Sequence, residues 1–266
     1  MTDTLRPAPL RPATVPAGQV CFVGAGPGDA DLLTLKAARA LSEAEVILYD
    51  RLVSDEILAL ANRDAHLVSV GKEGFGPSMT QQDINRLLVL HALSGARVLR
   101  LKGGDPAIFG RLDEEIEALE AEGIGWSVVP GITAASASVA AIGQSLTKRG
   151  RNASLRILTG HVMEGFADQD WRALARPGEV AAIYMGKKAA HFIQGRLMMH
   201  GASADTPVTF VENASRADQR IVASTLGTLA QDLAQADLSG PALTLFGLAP
   251  RAARQALPAI RKQEVS

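Results

Sequence analysis

Two glycine-rich turns carry the first recognisable chemistry in this sequence. Gly24-Ala25-Gly26-Pro27-Gly28-Asp29 follows an apolar run at residues 20–23 and precedes Leu32-Leu33-Thr34-Leu35. At such a strand-to-helix turn, glycines admit a ligand close to the backbone and a helix start offers free N–H groups. A dinucleotide fingerprint would need its third glycine at position 29, where Asp29 stands, and Pro27 is foreign to that turn. Asp50 ends the second apolar run, where a ribose-binding acid would stand, so a nicotinamide site and a purely structural turn both fit these residues. Gly103-Gly104-Asp105-Pro106 follows the run at residues 98–101, at the strand end where open α/β sheets bind ligands. The Asp105 carboxylate suits ribose hydroxyls or an amino-acid ammonium, both carried by S-adenosylmethionine; an ordinary Asp-Pro turn is the alternative.

Charged side chains cluster in two further places. Phe109-Gly110-Arg111 leads into Leu112-Asp113-Glu114-Glu115, a cation and acids at a helix start. Those acids complement the helix dipole whatever else they do, and Arg111 with Glu114 has the spacing of a surface i,i+3 pair. Between Glu122 and Glu164 no acid occurs, while Lys148, Arg149, Arg151 and Arg156 all fall there, with His161 close behind. The segment is receptive to anions; buried helix and strand is the alternative, which accounts for the missing acids and less well for the clustered bases. Phosphate-loop, nucleophile-elbow and zincin motifs are absent, and His66, His91, His161, His191 and His200 show no compact ligand spacing, so no metal is expected. Cys21 is the only cysteine, which excludes an intramolecular disulfide and a cysteine-based zinc site.

The elements that must hold these groups alternate along the chain. Strands are expected at residues 20–23, 46–49, 67–70, 98–101 and 127–129, with helical patterns between them, the signature of a mainly parallel, helix-covered sheet. Thr80-Gln81-Gln82-Asp83 has capping-box spacing ahead of Ile84, Leu87, Leu88 and His91 at helical period. Another helix follows Arg111, and an alanine-rich one spans residues 134–141. Later strands are expected at 155–158, 180–185, 207–211, 221–224 and 243–247, with 208–211 and 220–224 as an antiparallel pair. The chain of 266 residues therefore divides into a flexible arm (1–18), an N-terminal α/β lobe (19–131), a C-terminal α/β lobe (132–250) and a tail (251–266). With 27 basic and 28 acidic residues the net charge is −1, which advertises neither nucleic acid nor membrane as partner. No apolar run reaches the roughly 18 residues of a membrane helix, and a cytoplasmic protein is expected.

Taken together, Val23-Gly24-Ala25-Gly26-Pro27-Gly28-Asp29, Tyr49-Asp50-Arg51-Leu52-Val53, Leu101-Lys102-Gly103-Gly104-Asp105-Pro106, Val129-Pro130-Gly131-Ile132-Thr133-Ala134, Leu146-Thr147-Lys148-Arg149-Gly150, Thr159-Gly160-His161, Tyr184-Met185-Gly186 and Val211-Glu212-Asn213-Ala214 resemble the tetrapyrrole methylases. Among these the likeness is to the uroporphyrinogen-III C-methyltransferases. The resemblance implies a two-lobed α/β fold with S-adenosylmethionine in a cleft between the lobes of a homodimer. It implies cofactor contacts from Pro27, Gly103, Gly104, Asp105, Ile108, Thr133, Ala134, Met185, Ala214 and Ala242. It makes Asp50 a proton acceptor and Lys72 a proton donor, and puts Arg111, Glu114, Lys148, Arg149 and Met185 around the substrate. The implied reaction is two successive C-methylations of uroporphyrinogen III, giving precorrin-2 and S-adenosylhomocysteine; methylation of a later corrinoid precursor is the nearest alternative. The chain departs from the family pattern at Ala107, Leu112, Asp113 and Lys148. Chemically, Arg111 is a poor base because its pKa stays above about 12, which favours Asp50 or Glu114 as the general base.

Overall fold

The structure is a computed structural model that describes residues 15–71, 79–162 and 165–252. Two compact units make up the chain, Met1–Ile132 and Thr133–Ser266. In the first, β1 (Gln19–Gly24), α1 (Leu35–Glu43), β2 (Val46–Tyr49), α2 (Asp55–Leu58), β3 (His66–Ser69), α3 (Gln81–Leu93), β4 (Arg97–Lys102), α4 (Leu112–Ala121) and β5 (Trp126–Val129) follow one another. The strands form one sheet in the order β3-β2-β4-β1-β5, every neighbouring pair parallel. Parallel strands are covered on both faces, which is why their sequences read as continuous apolar runs. Along β1, Cys21 and Val23 pack towards α1 and α2, while Val20 and Phe22 pack towards α3 and α4.

Local signals account for several of these elements. The expected capping box closes α3, with the Thr80 hydroxyl accepting from the Asp83 N–H and the Asp83 carboxylate accepting from the Thr80 N–H. The strand expected at 67–70 lies one residue earlier, because β3 takes its register from the His66–Val46 pairing. Ordered packing also begins before the expected end of the N-terminal arm: Val15 is buried in the first core, and the Gly18 N–H bonds the Ala96 carbonyl at 3.0 Å. Likewise the expected tail is pinned where it starts, since the Arg251 N–H bonds the Ile142 carbonyl at 3.0 Å and its Nε bonds the Gly143 carbonyl at 2.8 Å.

The second unit contains α5 (Ala134–Ala141), β6 (Arg156–Thr159), β7 (His161–Val162), β8 (Gly165–Phe166), α6 (Trp171–Leu174), β9 (Ala181–Tyr184), α7 (Ala190–Met199), β10 (Pro207–Glu212), β11 (Arg220–Thr225), α8 (Leu229–Ala236) and β12 (Ala242–Phe246). Its main sheet runs β11-β10-β12-β9-β6 and is mixed: β6 and β9 are parallel, and the other pairs, including the expected β10–β11 pair, are antiparallel. Ala135, Val139 and Ile142 pack on one face with Val180, Val211 and Leu245. Ile193 and Leu197 of α7 and Leu229 and Leu233 of α8 cover the other, against Phe210 and Phe246. The short β7–β8 hairpin had no sequence signal, each strand being two residues long.

At the carboxyl edge of the first sheet the loops after β1, β4 and β5 meet without room for side chains. Gly26 and Gly104 exchange backbone hydrogen bonds of 3.1 and 2.7 Å. A Cβ on Gly131 would stand 2.2 Å from the Gly104 carbonyl oxygen and 2.8 Å from Gly24 Cα. Gly131→Ala should therefore lower unfolding free energy by about 1–3 kcal/mol or more, read by chemical denaturation. Gly195→Ala, in the interior of α7 where a Cβ meets nothing within 4 Å, should instead stabilise by about 0.5–1 kcal/mol.

Candidate functional site

Because β1, β2, β4 and β5 are parallel, the segments after them share one edge of the first sheet, the usual ligand edge of such sheets. Pro27, Asp50, Gly103, Gly104, Asp105, Ile108, Arg111 and Glu114 all lie in or just after these segments. Lys72 lies outside the described residues. The chain leading to it is tightly seated, since a Cβ on Gly71 would approach the Arg51 backbone nitrogen to 2.6 Å.

Asp105 spends both carboxylate oxygens on the backbone. Oδ1 accepts from the Ala107 N–H at 2.8 Å and Oδ2 from the Gly131 N–H at 3.0 Å, tying the β4 loop to the β5 loop. The turn-forming reading of this residue is thus realised, and only its remaining lone pairs are open to a ligand. Downstream, Phe109 and Arg111 take left-handed conformations, φ 52° and 54°, on either side of Gly110. A Cβ on Gly110 would lie 2.4 Å from the Pro106 carbonyl. Strained backbone of this kind concentrates at ligand sites. The Arg111 guanidinium grips Glu114 with two bonds, 2.7 and 2.6 Å, which raises the Arg111 pKa and holds the Glu114 carboxyl below its ordinary range. Both side chains are half exposed.

Beneath this edge lies a charge cluster that the sequence reading did not single out. Arg100 and Lys102 alternate along β4 and point to the same face of the sheet, each only 2% exposed. Glu115 of α4, fully buried, meets both: Oε1 stands 3.2 Å from Arg100 and Oε2 is 2.8 Å from Lys102 Nζ. Arg100 Nη2 then reaches Asp50 Oδ1 at 2.6 Å, and its other donors bond the Leu48 and Leu101 carbonyls. Gln81 of α3 adds a hydrogen bond to Glu115. Burial, reinforced by the like charge of Arg100, pushes the Lys102 pKa down, while Glu115 pulls it back in part. The available signal was the pair of cations, two residues apart, in a run otherwise patterned as a buried strand. Asp50 thus presents a partly exposed carboxylate whose position is fixed from below.

In the second unit the strand directions gather another set of residues. β6, β9 and β10 end, and β12 begins, at one edge. Met185, Ala214 and Ala242 lie there, with Met185 and Asn213 in left-handed conformations, φ 53° and 48°. Thr133, the N-cap of α5, shares a hydrogen bond with the Tyr184 hydroxyl, which also accepts from the Ala135 N–H at 3.1 Å. That contact brings Thr133 and Ala134 to the same edge. Lys148 and Arg149 are elsewhere: their loop lies at the opposite edge, where β6 and β9 begin. The sequence reading grouped Met185 with Lys148 and Arg149 around one substrate; within this unit they stand apart.

The chain belongs to the tetrapyrrole (corrin/porphyrin) methylases, whose family model matches residues 19–230. It is 48% identical over 230 residues to a siroheme synthase of Stutzerimonas stutzeri, covering 86% of this chain and 50% of that one. A siroheme synthase of Pseudoalteromonas translucida is 45% identical over 232 residues, 87% of this chain and 49% of its own. The chain therefore spans about half the length of the curated relatives it matches. Among solved structures it is similar to a uroporphyrin-III C-methyl transferase from Thermus thermophilus complexed with S-adenyl homocysteine, at 39% identity and a TM-score of 0.75, covering 89% of this chain and 99% of that one. A cobalt precorrin-4 methyltransferase superposes with a TM-score of 0.77 at 26% identity, covering 86% and 95%.

Removing the Glu115 charge leaves buried Lys102 without its carboxylate partner and Arg100 with Asp50 alone. Glu115→Gln should cost about 3–5 kcal/mol of unfolding free energy, measured by denaturant titration, as expected when one partner of a buried ion pair is lost.

Proposed function

We propose that this chain, as a cytoplasmic homodimer, transfers methyl groups from S-adenosylmethionine to uroporphyrinogen III twice in succession, giving precorrin-2 and S-adenosylhomocysteine. The observation that carries the reading is the Asp50 carboxylate, seated on buried Arg100 beside the glycine loops of the first sheet edge. Likeness to the Thermus thermophilus enzyme along nearly its whole length supports it. Among the described residues no helix is long and apolar enough to cross a membrane.

The residues present fit an S-adenosyl group. Within the second unit, Met185 is half exposed in a left-handed turn at the edge that also holds the small residues Ala134, Ala214 and Ala242, and the Thr133 hydroxyl stands there beside Tyr184. Within the first unit, the spare lone pairs of Asp105 offer hydrogen-bonding capacity to such a group, beside the loop residues Pro27 and Ile108 of the same sheet edge. When bound, S-adenosylmethionine supplies a methyl on a cationic sulfur, open to attack by an electron-rich pyrrole carbon. The protein's share is positioning and exclusion of water, followed by removal of the proton that methylation leaves on the macrocycle. Asp50 accepts that proton, and Arg100 keeps its carboxylate aimed. Lys72 is the proposed donor. Arg111 binds a substrate carboxylate by exchanging it for Glu114, since a guanidinium is too weak an acid to serve as base.

Anaerobic incubation with uroporphyrinogen III, followed by mass spectrometry, should show monomethylated and then dimethylated product. A folded chain that binds S-adenosylhomocysteine yet methylates only a later corrinoid precursor would replace the reading with its nearest alternative. Asp50→Asn should lower kcat by about 100- to 10,000-fold, the usual contribution of a general base. S-Adenosylhomocysteine affinity, measured by calorimetry, should stay unchanged.

A further inference from the structure

Four ionisable groups meet under the ligand edge of the first sheet, and their ordinary charges cancel. Arg100 and Lys102 contribute two positive charges, Asp50 and Glu115 two negative ones. Asp50 Oδ1 and Glu115 Oε1 both lie on Arg100 Nη2, at 2.6 and 3.2 Å. The two carboxylates therefore stand no more than about 6 Å apart, close enough for each to feel the other's charge. Lys102 joins through the second oxygen of Glu115 and runs beneath the strained turn, since a Cβ on Gly110 would come within 3.1 Å of its Cε. From α3, Gln81 Nε2 donates to Glu115 Oε1 at 3.2 Å and to Asn85 Oδ1 at 2.9 Å, and Asn85 Nδ2 donates to the Glu114 carbonyl at 3.0 Å. The neighbouring charges are balanced or wet: Arg111 and Glu114 neutralise one another, and Arg51, next to Asp50, is exposed.

Stability alone does not account for such a set. Buried ion pairs carry a desolvation cost that well-packed apolar side chains of similar size avoid. Elsewhere along β4 the core takes Val98, Leu99 and Leu101. What ions can do and apolar side chains cannot is act on the charge of Asp50, the one member of the four that opens to solvent, at 31% exposure. The coupling reaches the far end of the set, because the Asp50 charge helps Lys102 keep its proton against the effect of burial.

The reaction proposed above makes a particular demand on that carboxylate. It must be ionised to take the proton that methylation leaves on carbon, the C–H bond breaking as an O–H bond forms, and it must lose that proton to water before it can act again. With Asp50 ionised the set is neutral. With Asp50 protonated the set holds an uncompensated positive charge largely out of water, which favours release of the proton. We propose that Lys102 and Glu115 are positioning residues for the proton acceptor: acting through Arg100, they balance its charge, so that Asp50 waits as a carboxylate and sheds the proton of one methyl transfer before the next. The inference rests on the function proposed above and on Asp50 as its base.

The test counts charges. Single-turnover methylation of uroporphyrinogen III, at saturating substrate and S-adenosylmethionine, is followed across the acid limb of its pH profile. Lys102→Met keeps the methylene stem but leaves Asp50 and Glu115 sharing one cation, so the limb should move up by about half a unit to one unit. Glu115→Gln leaves both cations to Asp50 and should move the limb down by a similar amount. The double variant is neutral again, and its limb should return to the wild-type position. Arg51 and Lys72 are intact in all of these chains, and S-adenosylhomocysteine affinity should not change. Should Glu115→Gln fail to fold, Lys102→Met and the double variant, which buries no unpaired charge, decide the matter. A limb that stays in place in Lys102→Met, or that moves the same way in both single variants, would overturn the inference and leave methyl transfer standing. So would a limb that survives in Asp50→Asn, because it would belong to another group. A wild-type chain that binds S-adenosylhomocysteine but methylates no uroporphyrinogen III would remove the function itself, and this inference with it.

Discussion

Two cations on the central strand of a parallel sheet are the constraint around which the first unit is arranged. Arg100 and Lys102 leave water when β4 takes its place between β1 and β2, and they need counter-charge and acceptors within a few ångströms. Glu115 supplies most of it and so fixes the start of α4 over β4. The remaining demand of Arg100 falls on Asp50, at the end of the neighbouring strand, so a packing requirement of the core also aims a carboxylate at the ligand edge. Gln81 joins the same cluster from α3, which links both helices on that face to one electrostatic problem.

Strand direction does comparable work on the backbone. Parallel pairing brings three loops to one edge, where glycine is required because chain packs on chain: the Gly104 carbonyl lies where a side chain of Gly131 would begin. Asp105 then holds these loops in register through two N–H groups. In the mixed sheet of the second unit, antiparallel β12 starts where β9 and β10 end, which is how Ala242 joins Met185 and Ala214 across long stretches of sequence.

Much of this was legible in the sequence because it is local. Apolar runs gave the strands of the first sheet to within a residue, Thr80 and Asp83 announced the start of α3, and the alanine-rich helix falls at 134–141 as read. The β4 cluster was not legible, since its partners lie 13 to 50 residues apart and each has a local explanation of its own. Glu115 passed for a dipole-complementing acid. Position at an edge was also hidden: Arg149 and Met185 both read as substrate residues, and only strand direction reveals that they face different ends of their unit.

The bond between Arg111 and Glu114 has one more implication, for selectivity. The guanidinium is occupied before any substrate arrives, by a carboxylate tethered three residues away at high effective concentration. A lone small anion from solution competes poorly against such an internal ligand. A molecule anchored at several points brings its own carboxylate to Arg111 at a comparable local concentration and can take Glu114's place. Under the function proposed above, the pair favours a ligand already held elsewhere over a simple anion arriving from solution.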